Sequence, residues 1–414
     1  MNIENNHKEN YLRHLNFLTP YQEIWNKEVL NNYPDSIQWY SEEWIEYLEH
    51  LSDEKLHQID AHIDYSYLQN SSMKNLCEEL IRLVQIPLEN ISKRELPIKA
   101  FNKIKDKKEY EIGMIVSFIE KIFHEKKFSK VLDFGSGVGN LARILSDYYD
   151  IKTTCLEKDP YLISQGKKYL ERHAGAVAQK NIHFQEFSLE KWNNESKLHI
   201  EKDAFILGLH SCGNLSQRIL ETSTFARPKF ILNFGCCYLK MNTDTDLNVS
   251  SFAKKNSHTI SKAGLTLATR FRVGFDFKEY ELKKRVKNYR YALHLFFYHE
   301  LGLKDFLSVG DSKPRDYEQD FAFYAQKKIQ KTQAALTITP EKLNLFYNDK
   351  ENQKKIRQMF LADIIRNHFG RAVENLILLD RSIFLEEQGY QVTLSTFFDE
   401  LQSPRNRGIF AERI

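Results

Sequence analysis

The stretch "KVLDFGSGVGN", Lys130 to Asn140, constrains the fold more than any other. A short apolar run breaks into three glycines at alternate positions, and "ARILSDYYD" then resumes a helical spacing. Downstream, "IKTTCLEKD", "NIHFQEF", "DAFILGLHSCG" and "KFILNFGCCY" read as further strands, separated by stretches of helical length. Strands alternating with helices in this way build a parallel sheet covered on both faces. The expected class is α/β, with a Rossmann-like sheet.

The rest of the chain divides by periodicity. From about Tyr11 to Val84 the apolar and aromatic residues recur at three and four spacing, so 1–100 is expected to be a helical N-terminal region. The prolines of "QIPLENISKRELPIKA" break that pattern, and the first part of the core is expected over 101–240. Residues 241–368 read as a mainly helical insertion, although "GLTLATRFRVGFDF" can hide a strand. Residues 369–414 are expected to complete the sheet. There "RAVENLILLDRSIFLEEQG" reads as an amphipathic helix ending on Gly389, "YQVTLSTFF" as a strand, and "RGIFAERI" as an edge strand running back.

Cysteine usage and the N-terminus bear on the compartment. Five cysteines are too few for a disulfide scaffold and too odd a number to pair, so a reduced, cytoplasmic protein is expected. The polar start "MNIENNHKENYLRHL" has neither an apolar core nor an Arg-rich transit pattern, and no later segment offers about twenty uninterrupted apolar residues. No membrane partner is expected. The formal net charge is only +3, so any case for nucleic acid has to rest on local patches.

The glycine loop carries the clearest chemistry. In "DFGSGVG", Asp133 ends a strand, and Gly135, Ser136, Gly137 and Gly139 follow in a G-x-G-x-G pattern, unlike the G-x-G-x-x-G of a dinucleotide loop. An acid in front of the glycines repels a pyrophosphate and suits a cationic ligand, one with an ammonium and a sulfonium, as in S-adenosylmethionine. Glu157 ends the second strand in "CLEKD", where a carboxylate can accept both ribose hydroxyls. The adenine contact on the third strand stays open among Glu186, Phe187 and Ser188.

Strand four ends in "LGLHSCGN" and strand five in "GCCYL". In the methyltransferase version of this sheet those strands are neighbours, so Leu209, His210, Cys212, Cys236, Cys237 and Tyr238 should converge beside the methyl donor. His210 can act as a general base. A cysteine can act as a nucleophile, if its thiolate is stabilised. The thiols can equally be small, soft pocket lining. Zinc would accept such residues, but the C-x-x-C spacing is missing and adjacent cysteines rarely share one ion, so no metal is expected. A disulfide between neighbours is disfavoured by its geometry.

These motifs resemble the methyltransferase-like protein 25 family over nearly the whole chain. "YPDSIQWYSEEWIEYLEHLS" and "KIKDKKEYEI" look like its N-terminal segments. "DFGSGVGNLA", "LHSCGNLS" and "GCCY" look like its loop and strand ends, and "VENLILLDRSIFLEEQG" with "FFDELQSPRN" like its C-terminus. The resemblance implies a class I methyltransferase fold with S-adenosylmethionine as donor, with Asp133, Gly135, Gly137 and Gly139 as the donor loop. It also implies that His210, Cys212, Cys236 and Cys237 are family motif positions. The N-P-P-[FY] motif of adenine N6 methyltransferases is absent after strand four, so that activity is not implied. A similar histidine, cysteine and glycine, with cysteines after the next strand, occurs in a family of tRNA ribose methyltransferases.

One segment bears on the acceptor. Between 270 and 291, Arg270, Arg272, Lys283, Lys284, Arg285, Lys287 and Arg290 interleave with Phe271, Tyr280, Tyr289 and Tyr291. Cations for phosphates beside rings for bases suit single-stranded RNA, while the alternative is a solvated basic face with its rings in the core. The expected function is methyl transfer from S-adenosylmethionine to a macromolecule, RNA before protein. The alternative is a non-catalytic scaffold of the same fold that binds RNA or a protein.

Overall fold

The structure, a computed structural model, describes residues 6–414 except 70, 93–94, 102–103, 189–199, 244–246, 257–258 and 334–335, and the side chains of 71, 98 and 99. The chain packs as two units, one of Met1–Phe17, Val84–Thr269 and Ala372–Ile414, the other of Leu18–Leu83 and Arg270–Arg371. Packing thus gathers segments that lie far apart in the sequence.

The first unit holds the sheet. Its strands are β1 (Val131–Phe134), β2 (Thr153–Glu157), β3 (Ile182–Glu186), β4 (Phe205–Cys212), β5 (Phe230–Cys236), β6 (Tyr390–Thr396) and β7 (Arg407–Arg413), in the spatial order β3-β2-β1-β4-β5-β7-β6. The first five pair in parallel, and β7 runs antiparallel to both of its neighbours. Its helices include α1 (Asp106–Lys126), α2 (Asn140–Tyr149), α3 (Pro160–His173), α4 (Asn214–Phe225), α5 (Lys262–Arg270) and α6 (Gly370–Glu387). This is an α/β fold with a mixed sheet of the class I methyltransferase type. β1 and β5 are buried along their whole lengths, which is why they read as unbroken apolar runs. One core joins Phe205, Phe230 and Phe234 of the sheet to Ile112, Ile115 and Ile119 of α1 and to Phe397 and Phe398. Each such side chain contributes about 1.5–3 kcal/mol by leaving water.

Three expectations are corrected. "RGIFAERI" is not the edge: β7 lies between β5 and β6, with Phe230 opposite Glu412 and Thr396 opposite Arg407, and β6 takes the edge. The reason is its apolar middle, since Phe410 stacks on Phe230 at 5.9 Å and meets Phe118 edge-on at 5.0 Å. "GLTLATRFRVGFDF" holds a helix, α5, whose first amides at Ala263 and Gly264 donate to Ser261 Oγ. Finally, α6 is buried almost all round rather than on one face. Its polar groups serve as ties: Asp380 accepts from the amides of Val249 and Ser250 at 2.8 and 2.9 Å, and Asn375 bonds His14. The expected stop is present, with Gly389 at φ +81° just past the helix end.

The second unit is helical among the described residues, with helices that include Glu42–Glu49, Asp53–His62, Phe277–Glu300 and Lys350–Asn367. Many cations of the basic segment have partners within this unit. Lys283 pairs with Asp60, Lys284 with Asp53, Lys287 with Asp363 and Arg272 with Glu279, while Arg285 donates to the Tyr317 carbonyl. Tyr280, Tyr289 and Tyr291 are buried. The rings stabilise the fold, and many of the cations neutralise carboxylates inside the unit.

A cramped glycine tests the position of β7. A Cβ on Gly408 would stand 2.5 Å from the Phe234 ring and 2.9 Å from that of Phe397. Gly408→Ala should therefore cost about 1–3 kcal/mol by overpacking. Urea unfolding should show a lower midpoint with an unchanged slope. An unmoved midpoint would mean that β7 is not an inner strand.

Candidate active site

The glycine loop is shaped by its own backbone. Gly135, Gly137 and Gly139 adopt φ of +74°, +58° and +74°, a region costly for other residues. The Gly135 amide donates to the Leu156 carbonyl at 2.8 Å, and that of Gly139 to the Ser136 carbonyl at 3.0 Å, which closes the turn into α2. Gly139 also has no room for a side chain, because a Cβ there would meet the Phe184 ring at 2.8 Å.

Two acids flank this loop. Glu157, at the end of β2, accepts from the Gly137 amide through Oε2 at 2.9 Å, and from those of Lys158 and Asp159 through Oε1 at 2.8 and 3.1 Å. Three backbone donors fix its orientation beside the turn. Asp133 is only 5% exposed, and burial pushes its carboxyl up to about 7. The Glu157 charge adds to that rise, and Lys108 opposes it.

β1 and β4 are neighbours with connections that leave in opposite directions along the sheet, so a crevice opens at their carboxyl ends. There β4 is irregular: Gly208 pairs with Asn233 but Ser211 with Gly235, so three steps on β4 match two on β5. His210 sits in this bulge at φ +58°. Its side chain is about a third exposed, and Nε2 lies 2.7 Å from Glu111 Oε2. Leu209, beside it, packs against the phenylalanine core.

Glu111, on α1, is 2% exposed, and its Oε1 accepts from Ser403 Oγ at 2.6 Å. Burial alone would raise its carboxyl, but the bond and charge of His210 and the bond from Ser403 outweigh burial and hold it below the ordinary value. An ionised Glu111 only accepts, so Nε2 of His210 carries the hydrogen toward it, and in the neutral form of the ring the lone pair is then on Nδ1. Neither Glu111 nor Ser403 was expected. Glu111 had a signal, since it shares the apolar helical face of Ile115, Phe118 and Ile122, where an acid needs a partner. Ser403, in the "SPRN" turn, had none.

Past the bulge the three thiols meet. Cys212 is the direct partner of Cys236 across β4 and β5, their sulfurs 3.2 Å apart, and with Cys237 all three sulfurs lie within 4.8 Å of one another. Hydrogen bonding from the Cys236 thiol lowers the Cys212 thiol to about 5 against the effect of burial, with Cys237, Lys240 and His210 helping. The same bond raises Cys236, while burial leads the rise at Cys237. Of the three thiols, Cys212 is the one whose surroundings favour the thiolate. Tyr238 is placed otherwise: it is 1% exposed and its hydroxyl lies between the Gly235 carbonyl at 3.1 Å and Glu374 Oε1 at 3.3 Å. Burial, then the Glu374 charge, holds its phenol well above the usual range.

The comparisons with known proteins bear on this geometry. Residues 107–244 match a family model described as a methyltransferase domain. Among solved structures, the chain is similar to two forms of the methyltransferase domain of bacterial CtHen1, each at 19% identity, with TM-scores of 0.24 and 0.25. Those matches cover 29% and 31% of this chain and 64% and 65% of theirs, so the chain spans less than two thirds of the length of either. It is also similar to the plantazolicin methyltransferase BpumL in complex with SAH, at 13% identity and a TM-score of 0.25, over 73% of this chain and 95% of that one. Among the described residues no helix is long and apolar enough to cross a membrane. With the family match lying across β1 to β5, the chain carries a methyltransferase domain on a class I, Rossmann-like sheet.

Proposed function

We propose that the protein transfers a methyl group from S-adenosylmethionine to a macromolecular acceptor, with RNA as the favoured class. The observation that carries the donor reading is the pair of acids around a glycine turn, with Glu157 held by the Gly137 amide and Asp133 buried at the end of β1. Glu157 would take the ribose hydroxyls and Asp133 the amino-acid end of the donor, with Gly135, Ser136, Gly137 and Gly139 giving close approach. Leu209 would line the donor's side of the crevice. The donor, when bound, would supply its sulfonium methyl to the acceptor's lone pair and depart as S-adenosylhomocysteine. His210 would take the acceptor's proton at Nδ1, while Glu111 would orient the ring and stabilise its cation. Cys212, Cys236 and Cys237 stand beside this path.

RNA is supported by the likeness of "LHSCGN" and "GCCY" to the strand ends of tRNA ribose methyltransferases. The segment 270–291 does not add to it, because many of its cations are paired within their own unit. The same motifs, with the long C-terminal block, support the narrower assignment to the methyltransferase-like protein 25 family. On this reading 101–240 and 369–414 form the catalytic part, with 241–368 as a substrate-binding region beside the helical region 1–100.

Two experiments test these roles. Titration calorimetry should show S-adenosylmethionine binding whose affinity falls as the pH is lowered below about 7, by at most tenfold per unit, because the donor's ammonium favours ionised Asp133 and binding then releases its proton. Asp133→Asn should weaken binding and flatten this dependence, and a wild-type affinity flat with pH would refute the role of Asp133. In the second, Glu111→Gln should slow transfer of tritiated methyl groups to cellular RNA by about 10²–10⁴-fold with donor affinity unchanged. Label that appears in protein and not RNA would overturn the acceptor class.

A further inference from the structure

We propose that Cys212, Cys236 and Cys237 form a trithiolate site for a zinc-like, thiophilic divalent ion whose fourth coordination position is open. A tetrahedral zinc with sulfur ligands at about 2.3 Å has sulfur-to-sulfur edges of about 3.8 Å. The edges here fall around that length, from 3.2 Å between Cys212 and Cys236 to no more than 4.8 Å among the three. Small movements of three side chains would bring them to one ion.

The sequence argues against such a site because the C-x-x-C spacing is missing and adjacent cysteines rarely share one ion, and neighbours on a strand point to opposite faces. The backbone removes that last objection. β5 ends at Cys236, and Cys237 takes a left-handed conformation, φ +46° and ψ +47°, which breaks the alternation and returns its sulfur to the side of its neighbour. The bulge in β4 does the rest by setting Cys212 opposite Cys236.

The frame around the thiols is built in advance. The Gly213 amide donates to the Cys236 carbonyl at 3.3 Å, Lys240 N to the Cys237 carbonyl at 2.9 Å, Leu239 N to Thr269 Oγ1 at 2.9 Å and Asn242 N to Asn214 Oδ1 at 3.1 Å. A Cβ on Gly213 would meet the Lys240 carbonyl oxygen at 2.8 Å, so the two turns are in direct contact. A site on fixed elements loses little entropy when it binds. Three thiolates and one divalent ion leave a net charge of −1, with the Lys240 ammonium close by. His210 stays outside the set, since its Nε2 is held by Glu111. Cys236 is 5% exposed and forms the floor, while Cys212 and Cys237 are partly exposed. The open position therefore faces the strand ends, where a water or an acceptor atom can reach it.

The coordination stands on this geometry alone and does not require the methyltransferase reading. The test uses the full chain, purified reduced and without a metal-binding tag. Elemental analysis should find one zinc per chain, and X-ray absorption should find three sulfurs at about 2.3 Å and one lighter atom at about 2.0 Å. Replacement by cobalt should give a thiolate-to-metal charge-transfer band that loses about a third of its intensity in each of Cys212→Ser, Cys236→Ser and Cys237→Ser, while Cys77→Ala keeps it. The absorption experiment on the unaltered protein decides the matter even where a variant fails to fold. Absence of metal together with absence of the cobalt band would overturn the proposal, as would four sulfurs around the ion or a Cys212–Cys236 disulfide in the reduced preparation. Donor binding is measured on the same sample: metal without donor supports the site and counts against the proposed function, and donor without metal does the reverse.

Discussion

One extra residue in β4 decides which side chains meet at the end of the sheet. Before the bulge, β4 and β5 pair with Gly208 against Asn233; after it, Ser211 faces Gly235 and Cys212 faces Cys236. A shift of one residue exchanges the faces of everything that follows. Without it, Cys212 would align one step further along β5, and His210 would not be carried out of the ladder toward Glu111. The bulge is accommodated by small neighbours, for a Cβ on Gly208 would lie 2.4 Å from Ser211 Oγ and 2.6 Å from Ile219. Chain length between Gly208 and Ser211 is therefore as much a part of the site as the His210 side chain that the bulge carries.

A second constraint is that the unit carrying the site is completed from far along the chain. β7 supplies the hydrogen-bonding partner of β5, α6 runs buried through the same unit, and Ser403 reaches Glu111 across nearly three hundred residues of sequence. The orientation of Glu111 toward His210 thus depends on Ser403, which reaches it from the turn before β7. The glycine loop depends on nearer partners, since its bonds run between β1, β2 and the start of α2.

Much of this was legible in the residues. The strand-turn-helix of "KVLDFGSGVGN", the acid at the end of the second strand and the helix stop at Gly389 are local chemistry, and the structure has them where the pattern put them. What failed depended on tertiary context. "RGIFAERI" has charged ends typical of an edge, yet its Phe410 is drawn inward by the rings of Phe118 and Phe230. "LTLAT" has β-branched residues, yet the Ser261 cap starts a helix over them. The lysines of the 283–287 stretch read as a surface because their carboxylate partners, Asp53, Asp60 and Asp363, are distant in sequence. The adjacency of Cys236 and Cys237 told nothing of their direction, which one left-handed residue decides.

On the role proposed for Asp133, the buried acid at the end of β1 has a consequence for how donor binding would respond to salt. Burial raises its carboxyl to about 7, so below that pH Asp133 would hold a proton and no charge of its own. A donor of net charge +1 that releases this proton on entry exchanges one unit of positive charge for another. The total charge of the unit is then the same before and after binding, and dissolved ions screen both states alike. Selectivity for a cation would be achieved by local complementarity, with little of the ionic-strength dependence that accompanies an exposed acidic cluster.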